Sequence, residues 1–370
     1  MEADPERVKV ESVCREGIEC RDVLPAGTHG TNWVLDFSNL DFKRSLIIAE
    51  IGGNHEGDLE RAYHLARLAA NNGADVVKFQ TYYADTLVNP KLSPSRHAHF
   101  KRFELPRDEW FKLAEFVRSL GVEWMTSIWD YEMVDVLDPI LPVYKIGSGD
   151  FTNFPMIAKV LSKGKPIILS TGMCDEDDIE ATMQFVMERA PGFVEERKLA
   201  LLQCTAMYDS PDPGQVNLGA MSYLRDKYGV VSGFSNHTLG PTACTVAASM
   251  GAKILEVHFT DDKQREFRDH RLSFEPRELR ELRETVELIS ALQGSPSKQV
   301  MDLEVDNRQS FRRGIYFRRD LNADHVVSES DLILLRPNVG LDAREYFNVI
   351  GKRLQVDVAA LQPLEEDFFS

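Results

Sequence analysis

The sequence predicts an α/β protein whose larger part is a (β/α)8 barrel, a closed ring of eight parallel strands surrounded by helices. Eight short apolar runs follow one another between residue 45 and about residue 260, with helical patterns or connectors between them. Strands that alternate with helices pair in parallel through right-handed crossovers. Eight such units close a barrel. Each run also ends in polar residues, as strands do at the catalytic face of a barrel.

Taken in chain order, the first run is "SLIIAEIG" (45–52), and Asp58 precedes a helical pattern that Gly73 closes. The second run is "ADVVKFQT" (74–81), and a helix-like segment follows at 107–121. The later runs are "VEWMTSIWD", "PVYKIGSGD", "KPIILSTGM", "KLALLQCTAMY", "VVSGFSNHT" and "AKILEVHFT". A doubly wound open sheet is the alternative fold. It would usually carry a glycine-rich phosphate turn, and "EIGGNHEGD" fits neither common pattern.

Polar side chains gather at the predicted carboxyl ends of the strands. They are Glu50, Lys78, Gln80, Ser127, Lys145, Ser170, Gln203, His237, Glu256 and His258. Residues two apart in a strand share a face, so Lys78 and Gln80 point the same way, as do Glu256 and His258. One polar residue ending a strand is more often a hydrogen-bonded rim residue than a catalyst. Because buried lysine and glutamate are costly unless paired, eight strands that end this way predict one shared cavity.

Composition narrows the classes of function. The chain has 370 residues and a formal net charge of −16, which argues against a nucleic-acid surface. No window approaches the ~20 apolar residues that span a bilayer, and the acidic N-terminus is not a signal peptide. The five scattered cysteines are interpreted as buried or idle thiols of a cytosolic protein. We therefore expect a cytoplasmic protein without a membrane or nucleic-acid partner.

The clustered residue types favour an anionic ligand and a metal. Two lysines that face one cavity repel each other, and a bound phosphate or carboxylate would relieve them, with Ser148, Ser170 and Ser235 as further donors. His237 and His258 lie on neighbouring strands, where neutral imidazoles with open oxygen positions suit a Mn²⁺-like ion that polarises a carbonyl. The other histidines considered, His55, His97, His99 and His325, show no such placement and are assigned structural roles.

The motifs resemble those of the sialic acid synthase (N-acetylneuraminate synthase) family over about residues 45–290. They are "IIAEIGGNHEGD", "ADVVKFQT", "YKIGSGD", "PIILSTGM", "QCT..Y", "FSNHT" and "LEVHFTDD", in family order. The tail, with "RRGIYFRRDLNADHVVSESDLILLRPNVGL", resembles the small antifreeze-like (SAF, β-clip) domain that ends these enzymes.

The predicted organisation therefore has four parts. Residues 1–44 are an N-terminal extension that packs on the barrel, where "VESVCREGIECRDV" could plug the bottom. Residues 45–293 form the catalytic barrel, and residues 294–307, which begin "GSPSKQV", form a linker. Residues 308–370 form the SAF domain.

The resemblance implies a reaction: phosphoenolpyruvate condenses with an open-chain N-acetylated aminosugar, such as N-acetylmannosamine, to a nine-carbon 2-keto-3-deoxy acid, and phosphate is released. The positions that match catalytic residues are Glu50, Lys78 and Lys145. Substrate-binding positions are Gln80, Ser127, Ser148, Ser170, Tyr208, Ser235, Glu256, Asp269 and Arg336. His237 and His258 match metal ligands, which implies a divalent ion, Mn²⁺ first and Mg²⁺ or Co²⁺ as alternatives. The family delivers the arginine from the partner subunit, which implies a homodimer with exchanged SAF domains.

Four departures from the family pattern bear on the acceptor sugar. Ala206 stands where Asn or Ser is common, and Asp209 replaces a proline after Tyr208. "EFRDH" (266–270) replaces a glycine-rich lead, and Arg312 with Arg313 replaces an apolar stretch near the acyl pocket. These arginines either face that pocket, which would suit a more polar or anionic sugar, or point to solvent.

Two other functions stay open. A Schiff-base pyruvate aldolase or lyase would use Lys78 or Lys145 as the amine, which leaves the histidine pair without a role. A barrel that binds a sugar acid without converting it is the second, and Ala206 and the altered loops give it some support. Synthases of seven- or eight-carbon keto acids are a lesser variant, because they lack the SAF tail.

Overall fold

A computed structural model describes residue 37, residues 44–208 and residues 212–369 of the chain. The chain divides into two compact units, one that ends at Gln293 and one that runs from Gly294 to Ser370. The expected N-terminal extension lies outside the described residues, apart from Phe37 and Arg44, so its packing stays a prediction.

The first unit contains a closed barrel of eight parallel strands, which confirms the predicted fold class. The strands are β1 (Leu46–Gly52), β2 (Val76–Thr81), β3 (Glu123–Ile128), β4 (Tyr144–Ile146), β5 (Ile167–Ser170), β6 (Leu199–Cys204), β7 (Val231–Asn236) and β8 (Ile254–His258). β1 pairs with both β2 and β8 and so closes the ring. In this register Glu50 lies beside Lys78 on one side and beside His258 on the other.

Ten helices of this unit fall in the described residues. They are α1 (Leu59–Asn71), α2 (Ala84–Leu87), α3 (Pro94–Phe103), α4 (Glu109–Ser119), α5 (Met133–Leu137), α6 (Phe154–Leu161), α7 (Glu176–Arg189), α8 (Gly219–Tyr228), α9 (Thr242–Ser249) and α10 (Pro276–Gln293). α1 begins where its cap predicts, because the Asp58 carboxylate accepts hydrogen bonds from the backbone N–H groups of Glu60 and Arg61. Two helices, α2 and α3, come between β2 and α4, so this connection is longer than a simple strand–helix unit.

The two faces of the barrel sheet differ in what they bury. Outward residues such as Ile47, Val77 and Leu255 pack against the helices. Inward residues fill the half of the barrel where the strands begin: Phe37, Leu46, Ile48, Val76, Met125, Val143, Ile168, Ala200, Leu202 and Ile254. The next inward positions along the strands are polar, among them Glu50 after Ile48 and Lys78 after Val76. The apolar half therefore closes the barrel from below, and the polar half opens at the carboxyl ends.

The second unit is small and has its own core. Its elements are α11 (Val305–Phe311), β9 (Gly314–Phe317), β10 (Leu332–Leu335) and α12 (Tyr346–Val349). β9 and β10 pair antiparallel, and the buried core consists of Ile315, Phe317, Leu321, Val327, Leu332, Val349, Leu354, Val358 and Leu364. None of the helices in the described part of the chain is long and apolar enough to cross a membrane.

Asp331 anchors the turn that enters β10, and its side chain is fully buried. It accepts hydrogen bonds from Arg319 Nη2 at 2.6 Å, from Ser328 Oγ at 2.7 Å and from the Ser328 backbone N–H at 2.9 Å, and it pairs with His325 Nε2 at 2.9 Å. Burial alone would raise the pKa of the Asp331 carboxyl. The bonds from His325, Ser328 and Arg319 outweigh burial and hold that pKa far below its usual range.

We expect Asp331→Asn to lower the free energy of unfolding by about 1–3 kcal/mol at pH 7, because buried donors lose a charged acceptor. The folded pKa lies below the unfolded value of about 3.9, so this contribution is complete well above that pH and is lost as the pH falls toward the folded pKa. Denaturant unfolding of the wild type and Asp331→Asn at several pH values checks this. The gap between them should narrow in acid.

Asp357→Asn is the matched control, because Asp357 accepts one exposed hydrogen bond, from the Ala323 backbone N–H at 2.8 Å. It should change stability by less than about 0.5 kcal/mol. An Asp331→Asn variant as stable as the wild type at pH 7 would contradict the anchoring role. So would a difference in the free energy of unfolding between the two proteins that does not change with pH.

Candidate active site

A cavity of about 1140 Å³ opens at the carboxyl ends of the barrel strands. All the candidate residues of the barrel line it: Glu50, Lys78, Gln80, Ser127, Lys145, Ser148, Ser170, Tyr208, Ser235, His237, Glu256, His258 and Asp269. The structure thus brings together residues from all eight strand ends or the loops that follow them. Arg336 belongs to the second unit.

At the base of the cavity two lysines face one carboxylate. Lys78 Nζ lies 2.7 Å from Glu50 Oε2 and 3.6 Å from Glu256 Oε2, and Lys145 Nζ lies 3.8 Å from the same Glu256 oxygen. We call Glu50, Lys78, Lys145 and Glu256 the charge cluster. Its members are between 2% and 7% exposed, so their charges are neutralised chiefly by one another.

Serine hydroxyls hold the charge cluster in place. Lys78 donates to Ser127 Oγ at 2.9 Å, and Lys145 donates to Ser170 Oγ at 2.7 Å. Ser235 donates to Glu256 Oε1 at 3.1 Å. The other oxygen, Glu256 Oε2, is buried and accepts no hydrogen bond from any described residue. The two ammonium groups that border this space suit an anionic group of a ligand, whereas Glu256 Oε2 would take a hydroxyl or water as its donor.

The two carboxyl groups of the charge cluster differ in acidity. Burial raises the pKa of Glu50 to about 7 despite the attraction of Lys78. Burial alone would also raise the pKa of Glu256, but Lys145 and Lys78 together hold it well below its usual range. Glu256 is then a fixed counter-ion, whereas Glu50 can hold or release a proton near neutral pH.

The two lysines differ as well. Burial lowers the pKa of Lys145, although the charge of Glu256 opposes that effect. Burial alone would lower the pKa of Lys78 too, but Glu256 and Glu50 outweigh it and raise that pKa above its usual value. Lys78 is therefore the more firmly charged of the two, and its charge holds the cluster's carboxylates.

His237 and His258 lie side by side, with ring centroids 5.3 Å apart, and Tyr208 lies against both rings. Burial, reinforced by His258, lowers the pKa of His237 to about 3, so that this imidazole is neutral. A neutral imidazole is the form that binds a metal. The described residues contain no group of three or more His, Cys, Asp or Glu side chains arranged to hold a metal. Two adjacent imidazoles could serve as ligands of an ion only if oxygen ligands from water or substrate filled its remaining positions.

The outer part of the cavity is bounded by the loop after β8 and by α3. Asp269, from that loop, lines the cavity and is 5% exposed. Phe267 from the same loop stacks on His99 of α3 with ring centroids 5.5 Å apart and lies 5.0 Å from the Phe103 ring. On β2, Gln80 donates to Glu50 Oε1 at 2.7 Å.

The structure corrects two expectations from the sequence. Gln203, placed among the inward strand ends, points outward and donates to the Val216 carbonyl at 3.1 Å. The inward residue is Cys204, a buried thiol whose Sγ lies 3.6 Å from His237 Nδ1. His99, assigned a structural role, lines the cavity. Strand alternation would have found Cys204, because it shares a face with Leu202.

The structure also places the remaining histidines and most of the residues that depart from the family pattern. His55 accepts a hydrogen bond from the Gly57 backbone N–H, and His97 pairs with Asp85. Ala206 lines the cavity, whereas Asp209 falls outside the described residues. Arg312 and Arg313 are exposed on the second unit, where Arg313 donates to the Leu334 carbonyl at 2.7 Å. The Arg336 guanidinium lies 5.9 Å from the centroid of the Phe311 ring.

Comparisons with known proteins agree with this geometry. Residues 65–298 match the NeuB family, and residues 312–370 match the SAF domain. The chain is 38% identical to N,N'-diacetyllegionaminic acid synthase of Legionella pneumophila, over 85% of this chain and 91% of the relative. It is 32% identical to human N-acetylneuraminate-9-phosphate synthase, over 84% of this chain and 89% of the relative.

Among solved structures, an N-acetylneuraminic acid (sialic acid) synthetase from Leptospira borgpetersenii, in complex with citrate, aligns with a TM-score of 0.65 and 27% identity. The alignment covers 71% of this chain and 90% of that one. The family match, the barrel and the residues gathered at its mouth lead to one assignment: this chain belongs to the NeuB family of sialic acid synthases and ends in a SAF domain.

Proposed function

We propose that this chain condenses phosphoenolpyruvate with an open-chain N-acetylated aminosugar to a nine-carbon 2-keto-3-deoxy acid, with release of phosphate. The observation that carries the proposal is that Lys78 and Lys145 are buried in the same cavity as His237 and His258. The names of the relatives, which make legionaminic and neuraminic acids, support this product class.

The charge cluster is the part of the site that would hold phosphoenolpyruvate. This substrate carries a phosphate and a carboxylate on adjacent positions, and the cavity offers two ammonium groups, each already paired with a serine hydroxyl. Ser148 and Ser235 border the same space. Charge-assisted hydrogen bonds of this kind are roughly twice as strong as neutral ones, so the two ends of the anion would be fixed independently.

The reaction balances without an added oxidant or reductant. C3 of phosphoenolpyruvate forms a bond to the aldehyde carbon of the sugar, and the aldehyde oxygen becomes a hydroxyl group. Water adds at C2, and the bond between C2 and the bridging oxygen then breaks. That oxygen leaves with phosphorus as inorganic phosphate. Glu50 stands between the lysines and Gln80, and its raised pKa suits a group that orients the water and takes its proton.

His237 and His258 would hold the divalent ion, for which Mn²⁺ is the first candidate and Mg²⁺ and Co²⁺ are alternatives. The ion supplies Lewis-acid polarisation of the acceptor carbonyl. Gln80, Tyr208 and Asp269 border the sugar side of the cavity and would bind the hydroxyl and acylamino groups of the acceptor.

The proposal also includes a homodimer with exchanged SAF domains, in which Arg336 of the partner subunit completes each site. A guanidinium is always charged and presents a planar fork of donors, which suits fixing a polar sugar. A cytoplasmic location stays a prediction.

Phosphate release with Mn²⁺, phosphoenolpyruvate and a panel of aminosugars is the direct test. Bridge-labelled ¹⁸O in phosphoenolpyruvate should appear in phosphate, and the product mass should equal both substrates plus water minus phosphate. In a parallel arm, borohydride with pyruvate should leave the protein mass unchanged. A trapped pyruvate adduct would favour the Schiff-base enzyme instead, and binding of a sugar acid without turnover of any acceptor would favour the non-catalytic barrel.

Removal of the metal should abolish turnover, and Mn²⁺ should restore the wild type but neither His237→Ala nor His258→Ala. The expected loss of Mn²⁺ affinity exceeds the about 10–100-fold that removal of a supporting partner causes, because a ligand itself is lost. Calorimetric Mn²⁺ titration and turnover measure the two effects. His97→Asn, which removes a surface pair with Asp85, is the control and should behave as the wild type. Full turnover in metal-free buffer would refute the Lewis-acid role.

Exchange of SAF domains predicts complementation between two inactive variants. Arg336→Ala and Lys145→Ala should each be nearly inactive as homodimers. A heterodimer of the two, co-expressed with different tags, should recover about half the wild-type turnover, because one of its two sites is intact. Arg344→Ala, which removes an exposed pair with Asp342, is the control and should stay active. An inactive heterodimer would show that Arg336 does not act across subunits.

A further inference from the structure

The loop after β1 holds the loop after β8 at two points, and Asp269 lies between them. At the first point Asn54 Nδ2 donates to the Phe259 carbonyl and to Ser273 Oγ, each at 2.9 Å. Ser273 in turn donates its hydroxyl proton to the Asp269 carbonyl at 2.6 Å. Asn54 and Ser273 are both fully buried, so one serine ties the backbone of Asp269 to the barrel.

The second point is a buried imidazole next to Asp269. His270 Nε2 lies 3.1 Å from Glu56 Oε1, and His270 Nδ1 lies 2.7 Å from Thr260 Oγ1. Arg265 Nε also donates to Glu56 Oε1, at 2.7 Å. His270 is 0% exposed, so it has no path to a ligand in the cavity and can act only through its neighbours.

His270 is a neutral bridge between the two loops. Burial lowers its pKa, and the nearby Glu56 carboxylate offsets only part of that effect. These partners assign the tautomer: Nε2 donates its proton to Glu56, and Nδ1 accepts from the Thr260 hydroxyl. Both nitrogens of the imidazole are then satisfied, and its orientation is fixed.

Glu56 itself occupies a strained backbone conformation. Its φ is 55°, in the left-handed region that residues other than glycine rarely adopt. Such a conformation persists only where surrounding contacts impose it. Here the Glu56 backbone N–H donates to the Gly53 carbonyl at 2.8 Å, and the carboxylate contacts His270, Arg265 and Arg61. The left-handed backbone at Glu56 therefore directs its carboxylate toward the loop after β8.

We propose that Glu56 and His270, together with Asn54 and Ser273, are positioning residues that hold Asp269 at the sugar side of the cavity. The inference rests on the proposed function, because it takes the acceptor sugar as the ligand of Asp269. Asp269 lies in a short 3-10 helix, Arg268–Leu272, within the loop after β8. A displacement of about 1 Å in such a group can cost about a hundredfold in rate. The four residues tie this short helix to the barrel and to the loop after β1.

The test compares Glu56→Ala, His270→Phe and Ser273→Ala with the wild type in the full-length protein with Mn²⁺. Calorimetry with N-acetylmannosamine and with its 6-phosphate gives Kd, and turnover gives KM for each substrate. Each variant should weaken binding of the accepted sugar by about 10-fold or more, with KM for phosphoenolpyruvate within about twofold of wild type. Glu56→Gln should stay within about threefold of the wild type, because its amide oxygen still accepts from His270.

Two further comparisons separate positioning from simple destabilisation. Asp269→Asn should itself weaken sugar binding, and adding His270→Phe to it should cost little more, because both changes act through one side chain. Glu278→Gln removes the ion pair with Lys263 at 2.5 Å on the outer side of the same loop and should leave both KM values unchanged.

Additive losses in the double variant, or equal effects on both substrates, would overturn the positioning role. So would a wild type that binds neither sugar. A wild type that binds the sugar but releases no phosphate overturns the proposed function alone, and the Kd comparison then still decides the role of Glu56 and His270.

Discussion

The placement of Lys78 and Lys145 against Glu256 is the constraint on which the rest of the site depends. Ammonium groups taken out of water cost several kcal/mol each unless a counter-charge is close. Glu256 is shared by both, and Glu50, with its raised pKa, neutralises them only in part. The base of the cavity is therefore short of negative charge, although the chain carries a formal net charge of −16. The deficit amounts to at most one charge, and it favours an anionic ligand, since local charge and not net charge governs a narrow cavity.

That constraint also explains how the barrel interior is divided. Inward polar groups are stable only at the carboxyl ends of the strands, where a ligand or water can form hydrogen bonds with them. The inward positions nearer the start of the strands are therefore apolar, as Leu46 of β1 and Ile254 of β8 are. Phe37 joins this apolar layer and is fully buried there. The same burial keeps His237 neutral beside the lysines. A cationic imidazole would add a third positive charge to the cavity, so desolvation of His237 limits the positive charge that the buried lysines already bring.

The sequence predicted what strand geometry controls and missed what loop packing controls. Glu50, Lys78, Lys145 and Glu256 were predictable because strand alternation and closure of the ring bring inward residues together whatever the loops do. The prediction that Gln203 points inward was wrong because it relied on the polarity of the residue. Strand alternation assigns the inward position to Cys204. His99 against Phe267 depends on where α3 packs, and no local pattern encodes that. The Glu56–His270 pair joins residues more than two hundred positions apart, and neither stretch alone indicates its partner.

Under the proposed function, reaction class and acceptor choice are carried by different parts of the chain. The charge cluster and the imidazoles lie at strand ends, where a change would disturb the ring itself. Ala206 and Phe267 border the same cavity from loops and touch no member of the charge cluster in any described hydrogen bond or ion pair. The loops can therefore reshape the sugar side while the anion side keeps its geometry. This separation requires that the β8 loop keeps Asp269 in a fixed position. The hydrogen bonds of Asn54 and Glu56 hold that position, so the residue at position 267 can be replaced without moving Asp269.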